Sequence, residues 1–152
     1  MTIRIPKRSD LPAISRILDE TALFPPEILD EMIAPFFDDA EQPEKWFVCE
    51  DGEGGVVGFA YCRPEPLTVG TWNLLAIGVH PAHQGRKLGA ALMRHTEQAL
   101  AGERLLLVET SSLDSFARTR AFYIRCGYDL VATIPGYWEA GDDKVIFSKS
   151  LE

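Results

Sequence analysis

Residues 80 to 90 hold the densest chemistry in the sequence. His80, Pro81, Ala82, His83, Gln84, Gly85, Arg86, Lys87, Leu88, Gly89 and Ala90 set two adjacent cations among glycines and amide donors. The run before them, Leu74 to Val79, reads as a buried strand. Leu88, Ala91, Leu92, His95 and Ala99 after them have the spacing of a helix with one apolar face. The stretch is therefore a strand-to-helix turn. A helix start presents N–H groups without intrahelical partners and the positive end of the dipole, which suits an anion. We read it as a phosphate cradle, the alternative being an ordinary tight turn. The Gly-Lys-Ser/Thr ending of a nucleotide loop and the G-x-G-x-x-G spacing of a dinucleotide fold are both missing.

The elements that must position this turn follow from periodicity. Ile3 and Ile5 alternate with polar residues as in a short strand. Ser9 and Asp10 can cap a helix with apolar positions Leu11, Ile14, Ile17 and Leu18. Pro25-Pro26 opens a second helix with Ile28, Leu29, Met32, Ile33 and Phe36 on one face, expected to end or kink at Pro35. Trp46–Glu50 and Val56–Cys62 read as strands joined by a turn at residues 51–55, with a bulge at Gly58. Trp72–Val79 is the central strand. The helix after the turn is stopped by Gly102. A buried strand from Arg104 ends in the Glu109 carboxylate, Phe116–Arg125 is a helix, and Tyr128–Ile134 and Lys144–Leu151 are strands joined by a loop over residues 135–143. The order is a mixed α/β sheet with helices on both faces.

Composition bounds the function. A chain of 152 residues fits one domain with one core. No apolar run reaches the roughly 20 residues of a membrane helix, and residues 1–7 lack a signal core. Cys49, Cys62 and Cys126 show no metal-ligand spacing, so no metal site is expected and reduced thiols in a cytoplasmic protein are. A net charge of −8 argues against a nucleic-acid surface. Its distribution says more. No acidic residue lies between Glu65 and Glu97, a gap that holds Arg86, Lys87, Arg94 and all three histidines. The first 50 residues are crowded with acids such as Glu27, Asp30 and Glu31. One region suits an anion and the other a cation.

Val79-His80-Pro81 followed by Gln84-Gly85-Arg86-Lys87-Leu88-Gly89-Ala90 resembles the pyrophosphate loop of the GNAT N-acetyltransferase superfamily, Gln/Arg-x-x-Gly-x-Gly/Ala after Val-x-Pro. Lys87 departs from it, standing where the family has the first glycine of the core. Lysine takes φ > 0 at a cost, so a backbone already helical is expected there. Arg120 to Tyr128 is similar to the second signature, an aromatic-Tyr pair on a helix before a Gly-aromatic step. Phe116 stands where the family often has asparagine.

The resemblance covers nearly the whole chain, best from Trp72 to Leu151. It implies one acetyltransferase domain over residues 1–152, about seven mostly antiparallel strands and about four helices, the strands splayed at the cofactor site. It implies acetyl-CoA as co-substrate, pantetheine pairing with the backbone of Ile77, Gly78 and Val79, and pyrophosphate held by residues 84–90. Tyr123 would be the general acid that protonates the departing thiolate. Glu109 resembles, by strand position, the base of ribosomal-protein-alanine acetyltransferases, although the stretch from Glu109 to Tyr123 is two residues longer here. Gly136-Tyr137-Trp138 and Asp142-Asp143 resemble the closing hairpin that borders the acceptor. Asn73, Tyr137 and Trp138 are thus acceptor-site candidates.

The function implied is direct transfer of acetyl from acetyl-CoA to a primary amine, a small molecule or a protein N-terminus, with no nucleic-acid or membrane partner. A homodimer is compatible with it. An acetyl-cysteine at Cys126 fits less well than a small buried side chain. The alternatives are a non-catalytic acyl-CoA-binding sensor or scaffold, and an acyltransferase for another acyl group or acceptor.

Overall fold

Short apolar runs separated by glycine and proline fold here as strands, and the longer runs with a period near 3.6 fold as helices. The computed structural model describes residues 1–21 and 23–152. Along the chain run β1 (Thr2–Arg4), α1 (Leu11–Thr21), α2 (Leu29–Asp38), β2 (Lys45–Glu50), β3 (Val56–Pro64), β4 (Thr71–Val79), α3 (Leu88–Ala99), β5 (Leu105–Ser111), α4 (Ala117–Arg125), β6 (Asp129–Glu139) and β7 (Asp142–Ser150). The sheet order is β1-β2-β3-β4-β5-β7-β6. β4 and β5 run parallel, while β1–β2, β2–β3, β5–β7 and β6–β7 are antiparallel. This is the mixed, mostly antiparallel architecture expected. The residues form two compact units, Met1–Arg63 with Ala76–Ala99, and Pro64–Leu75 with Leu100–Glu152.

In the first unit, Ile14, Ile17 and Leu18 of α1 and Leu29 and Ile33 of α2 are buried with Trp46, Val48, Phe59, Tyr61 and Ala76. Trp46 stacks on Tyr61 at 4.1 Å and on Phe59 at 6.2 Å. Arg4 ties the start of the chain to this unit, bonding Asp10 at 2.8 and 3.0 Å and Glu50 at 2.7 Å. Gly58 is required by close approach, since a Cβ there would meet Leu92 at 3.1 Å and the Gly78 carbonyl at 3.2 Å. The expected bulge falls beside it, where Cys49 faces Gly58 but Glu50 faces Val56.

Burial, with the nearby Glu44 adding to it, pushes the Tyr61 hydroxyl up to about 12 from its ordinary value of 10.0. The folded-state value lies above the unfolded one. The stability tied to the protonated phenol is therefore complete below about pH 10 and lost as pH rises toward about 12. Tyr61→Phe should shrink, without abolishing, the fall of the denaturation midpoint between pH 9 and 12, because burial raises Cys62 and Tyr123 as well.

In the second unit, burial alternates along β5 and β7. Leu106, Val108, Thr110, Val145 and Phe147 are buried, and Leu107, Glu109, Lys144, Ile146 and Ser148 are half-buried. α4 lies on the buried face, where the Tyr123 ring packs on Phe147 at 5.8 Å and on Tyr128 at 6.3 Å. The other face carries Glu109 and Lys144, because the register sets Glu109 opposite Ile146, and Lys144 opposite both Ser111 and Ile134.

Three expectations are corrected. α2 does not stop at Pro35 but continues to Asp38. The proline falls in the last turn, so little of the helical ladder is forfeited, and Phe36 and Phe37 pack against the core. Glu109 is not at the end of its strand, because β5 continues to Ser111. Residues 135–143 are not a loop. β6 runs through Pro135-Gly136-Tyr137-Trp138 to Glu139, and the turn is confined to Ala140-Gly141, with Gly141 at φ 85°. An edge strand tolerates proline because its outward N–H needs no partner.

Candidate active site

The cradle belongs to the first unit. After β4, His80 opens a short 3-10 turn, its Nδ1 accepting from the Ala82 amide at 3.2 Å. Gln84 Nε2 then donates back to the Val79 carbonyl at 3.0 Å, fastening the turn to the strand. Gly85 follows at φ 81°, and a Cβ on it would meet nothing within 4 Å. Residues 84–87 are exposed, and the first turn of α3 contains no acidic side chain. Leu88, Gly89 and Ala90 thus present main-chain N–H groups beside Arg86 and Lys87, in space that is open and positively charged. A pyrophosphate fits this arrangement.

Lys87 corrects an expectation. Its φ is 64°, the left-handed conformation of the glycine it replaces, and not helical. Its carbonyl accepts the Ala91 amide at 3.1 Å, so the residue acts as the cap from which α3 starts. The cap geometry outweighs a cost of about 1–2 kcal/mol for a side chain there. Lys87→Gly relieves that strain while loosening the unfolded chain by about 0.5–1 kcal/mol. The thermal midpoint should hold or rise, and acetyl-CoA affinity should fall no more than about fivefold, as for one exposed cation.

In the second unit, Tyr123 is 6% exposed. Burial pushes its hydroxyl far above the ordinary phenol range. It is therefore protonated throughout the physiological range, as a proton donor must be. Gly127 at φ 93° ends α4, and the Tyr128 amide bonds the Tyr123 carbonyl at 3.1 Å, which fixes the tyrosine's backbone. Arg120 adds a second anchor, donating at 2.8 Å to the carbonyls of Ser111 and Leu113.

Glu109 is paired. Its Oε2 lies 3.0 Å from Lys144 Nζ, with both side chains largely enclosed. The ammonium also stands 4.2 Å from the Tyr137 ring centroid and 5.9 Å from that of Trp138. Burial lowers the Lys144 pKa, but bonds to Glu109 and Tyr137 outweigh it and the net direction is upward. The Trp138 indole donates to the Thr110 carbonyl at 3.3 Å, and Ser111 Oγ bonds Asp142 at 2.5 Å. Asp142 is buried and clamps the hairpin to the end of β5. Asn73 is 3% exposed and gives its amide to Glu65 at 2.8 Å, so it braces the Glu65 loop. The reading of the sequence missed Lys144. Its signal was the alternation of β7, but only the pairing of β7 with β5 brings it to Glu109.

A family model for the acetyltransferase (GNAT) domain matches residues 42–130. The chain belongs to this family. The GNAT domain is also 32% identical to a mycothiol acetyltransferase of Mycolicibacterium gilvum over 121 residues, 73% of this chain and 37% of that protein. A second mycothiol acetyltransferase, from Beutenbergia cavernae, is 30% identical over 92 residues, 60% of this chain and 30% of its own. The chain thus spans about a third of these relatives. A protein of known structure from Desulfovibrio desulfuricans, assigned to the GNAT family, superposes with TM-score 0.90 at 29% identity over 99% of each chain. The ribosomal-protein-S18-alanine N-acetyltransferase of Escherichia coli shares the fold, with TM-score 0.78 and 23% identity over 99% of this chain and 94% of that one. The family assignment rests on the domain model and on the first of these relatives. Among the described residues no helix is long and apolar enough to cross a membrane.

Proposed function

We propose that residues 1–152 act as one GNAT domain that transfers acetyl directly from acetyl-CoA to a primary amine, without a covalent acetyl-enzyme. The observation that carries this is the cradle. Left-handed Gly85 and Lys87 lead into bare amides at the start of α3, with Arg86 alongside and no carboxylate in the first turn. Bound acetyl-CoA supplies the activated acetyl thioester.

Gln84, Gly85, Arg86, Lys87, Leu88, Gly89 and Ala90 hold its pyrophosphate. The main chain of Ile77, Gly78 and Val79 pairs with pantetheine as an added strand would, and an amide near Gly78 or Val79 donates to the developing oxyanion. Glu109 takes a proton from the acceptor's ammonium, directly or through water. Tyr123 gives its hydroxyl proton to the departing sulfur. Tyr137 and Trp138, each about half exposed, border the acceptor. A cytoplasmic setting agrees with three cysteines outside any disulfide.

A thiol-release screen with acetyl-CoA against amino acids, polyamines, aminoglycosides and N-terminal peptides tests the reading. Acceptor-dependent release with a matching acetylated product is expected. Tight acetyl-CoA binding with no turnover of any amine would make the chain a cofactor sensor instead.

A further inference from the structure

The half-buried face of the second unit bears two fixed opposite charges side by side. Glu109 and Lys144 stand 3.0 Å apart, with side chains only 20% and 12% exposed. Around them are apolar surface and exposed rings: Ile146 across from Glu109, Ile134 across from Lys144, and Tyr137 and Trp138 against the Lys144 ammonium. The indole is held by the Thr110 carbonyl, so the aromatic wall is fixed in place.

A fixed carboxylate beside a fixed ammonium is the complement of a zwitterion. A lone cation would gain Glu109 but meet Lys144 at the same distance. A lone anion would gain Lys144 and meet Glu109. A molecule carrying an ammonium and a carboxylate on neighbouring carbons satisfies both charges, and the aliphatic and aromatic surface accepts an apolar substituent. Releasing Lys144 instead to admit a second ammonium would break a largely enclosed ion pair.

We propose that Lys144 determines acceptor specificity, and that the acceptor is a free α-amino acid with an apolar side chain. Lys144 binds the carboxylate while Glu109 receives the ammonium. This rests on the acetyltransferase reading above and narrows its acceptor.

The test compares L-phenylalanine, L-phenylalaninamide and phenethylamine in two assays: acetyl-CoA-dependent product formation, and calorimetric binding to the enzyme with coenzyme A present. The wild type should prefer the amino acid over its amide by at least about tenfold in both, the worth of one charge-assisted hydrogen bond. Lys144→Met should erase the preference and Lys144→Arg should keep it. The Glu109→Gln/Lys144→Met double variant, which leaves no unpaired charge, should bind acid and amide alike. Equal binding of acid and amide by the wild type, or a preference that survives Lys144→Met, overturns the proposal. If amines are acetylated without regard to the carboxylate, only this proposal falls. If nothing is acetylated yet calorimetry shows the Lys144-dependent preference, it is the catalytic reading that fails.

Discussion

Tyr123→Phe should lower kcat by at least about a hundredfold, the lower end of what a positioned proton donor contributes, while the dissociation constant for acetyl-CoA stays unchanged. The substitution removes one oxygen and keeps the ring. Tyr123 is 6% exposed and packs through its ring on Phe147 and Tyr128, contacts that phenylalanine reproduces. The Tyr128-to-Tyr123 main-chain bond that ends α4 does not involve the side chain. The fold should therefore persist, and a thermal midpoint within a few degrees of wild type would show it. A hydroxyl serving only to complete a buried aromatic cluster would leave kcat where it was. Because burial holds the phenol protonated, the wild-type rate should also show no limb from Tyr123 ionisation in the physiological range.

Gly85→Val should raise the dissociation constant for acetyl-CoA by about a hundredfold or more, on the scale of losing one or two charge-assisted hydrogen bonds to phosphate. Gly85 sits at φ 81°, where a β-branched residue is a steric outlier. The Cβ meets no protein atom within 4 Å, so the damage is not to packing. The added side chain instead fills the space that the pyrophosphate needs, and relieving the backbone turns the amides that follow. Gly85→Ala should lie between wild type and Gly85→Val. Isothermal titration with acetyl-CoA reads the series, and unchanged binding in Gly85→Val would remove the cradle from the account.

Which features were legible in the sequence follows from the reach of the forces that set them. The cradle, α3 and α4 were readable because their apolar residues recur at i, i+3 and i+4 and their ends carry glycine. Tyr123 and Gly127 fell where the helix signal placed them. Residues 135–143 were misread because Pro135 and Gly136 are strong local turn formers, whereas the decisive fact is tertiary: β6 is an edge strand, where proline leaves no bond unmade. The Glu109–Lys144 pair was hidden for a different reason, since it depends on the tertiary register that sets Ser111 of β5 opposite Lys144 of β7. Lys87 shows the opposite failure. Intrinsic preference argued against φ > 0, and the need to start α3 at Leu88 overrode it. The family was legible in two motifs; the Glu109–Lys144 pair lay in a register that no single segment encodes.

Direct transfer to an amine is the central claim, and one measurement meets it squarely. Enzyme at substrate concentration is mixed with acetyl-CoA, first alone and then with an acetylatable amine, and the intact protein mass, free thiol and acetylated amine are followed together. The account predicts no thiol release and no gain of protein mass with acetyl-CoA alone, then equal amounts of thiol and acetyl-amine once the acceptor is added. A stoichiometric burst of thiol with one acetyl group on the protein before any acceptor is present, for instance on Cys126, would contradict it.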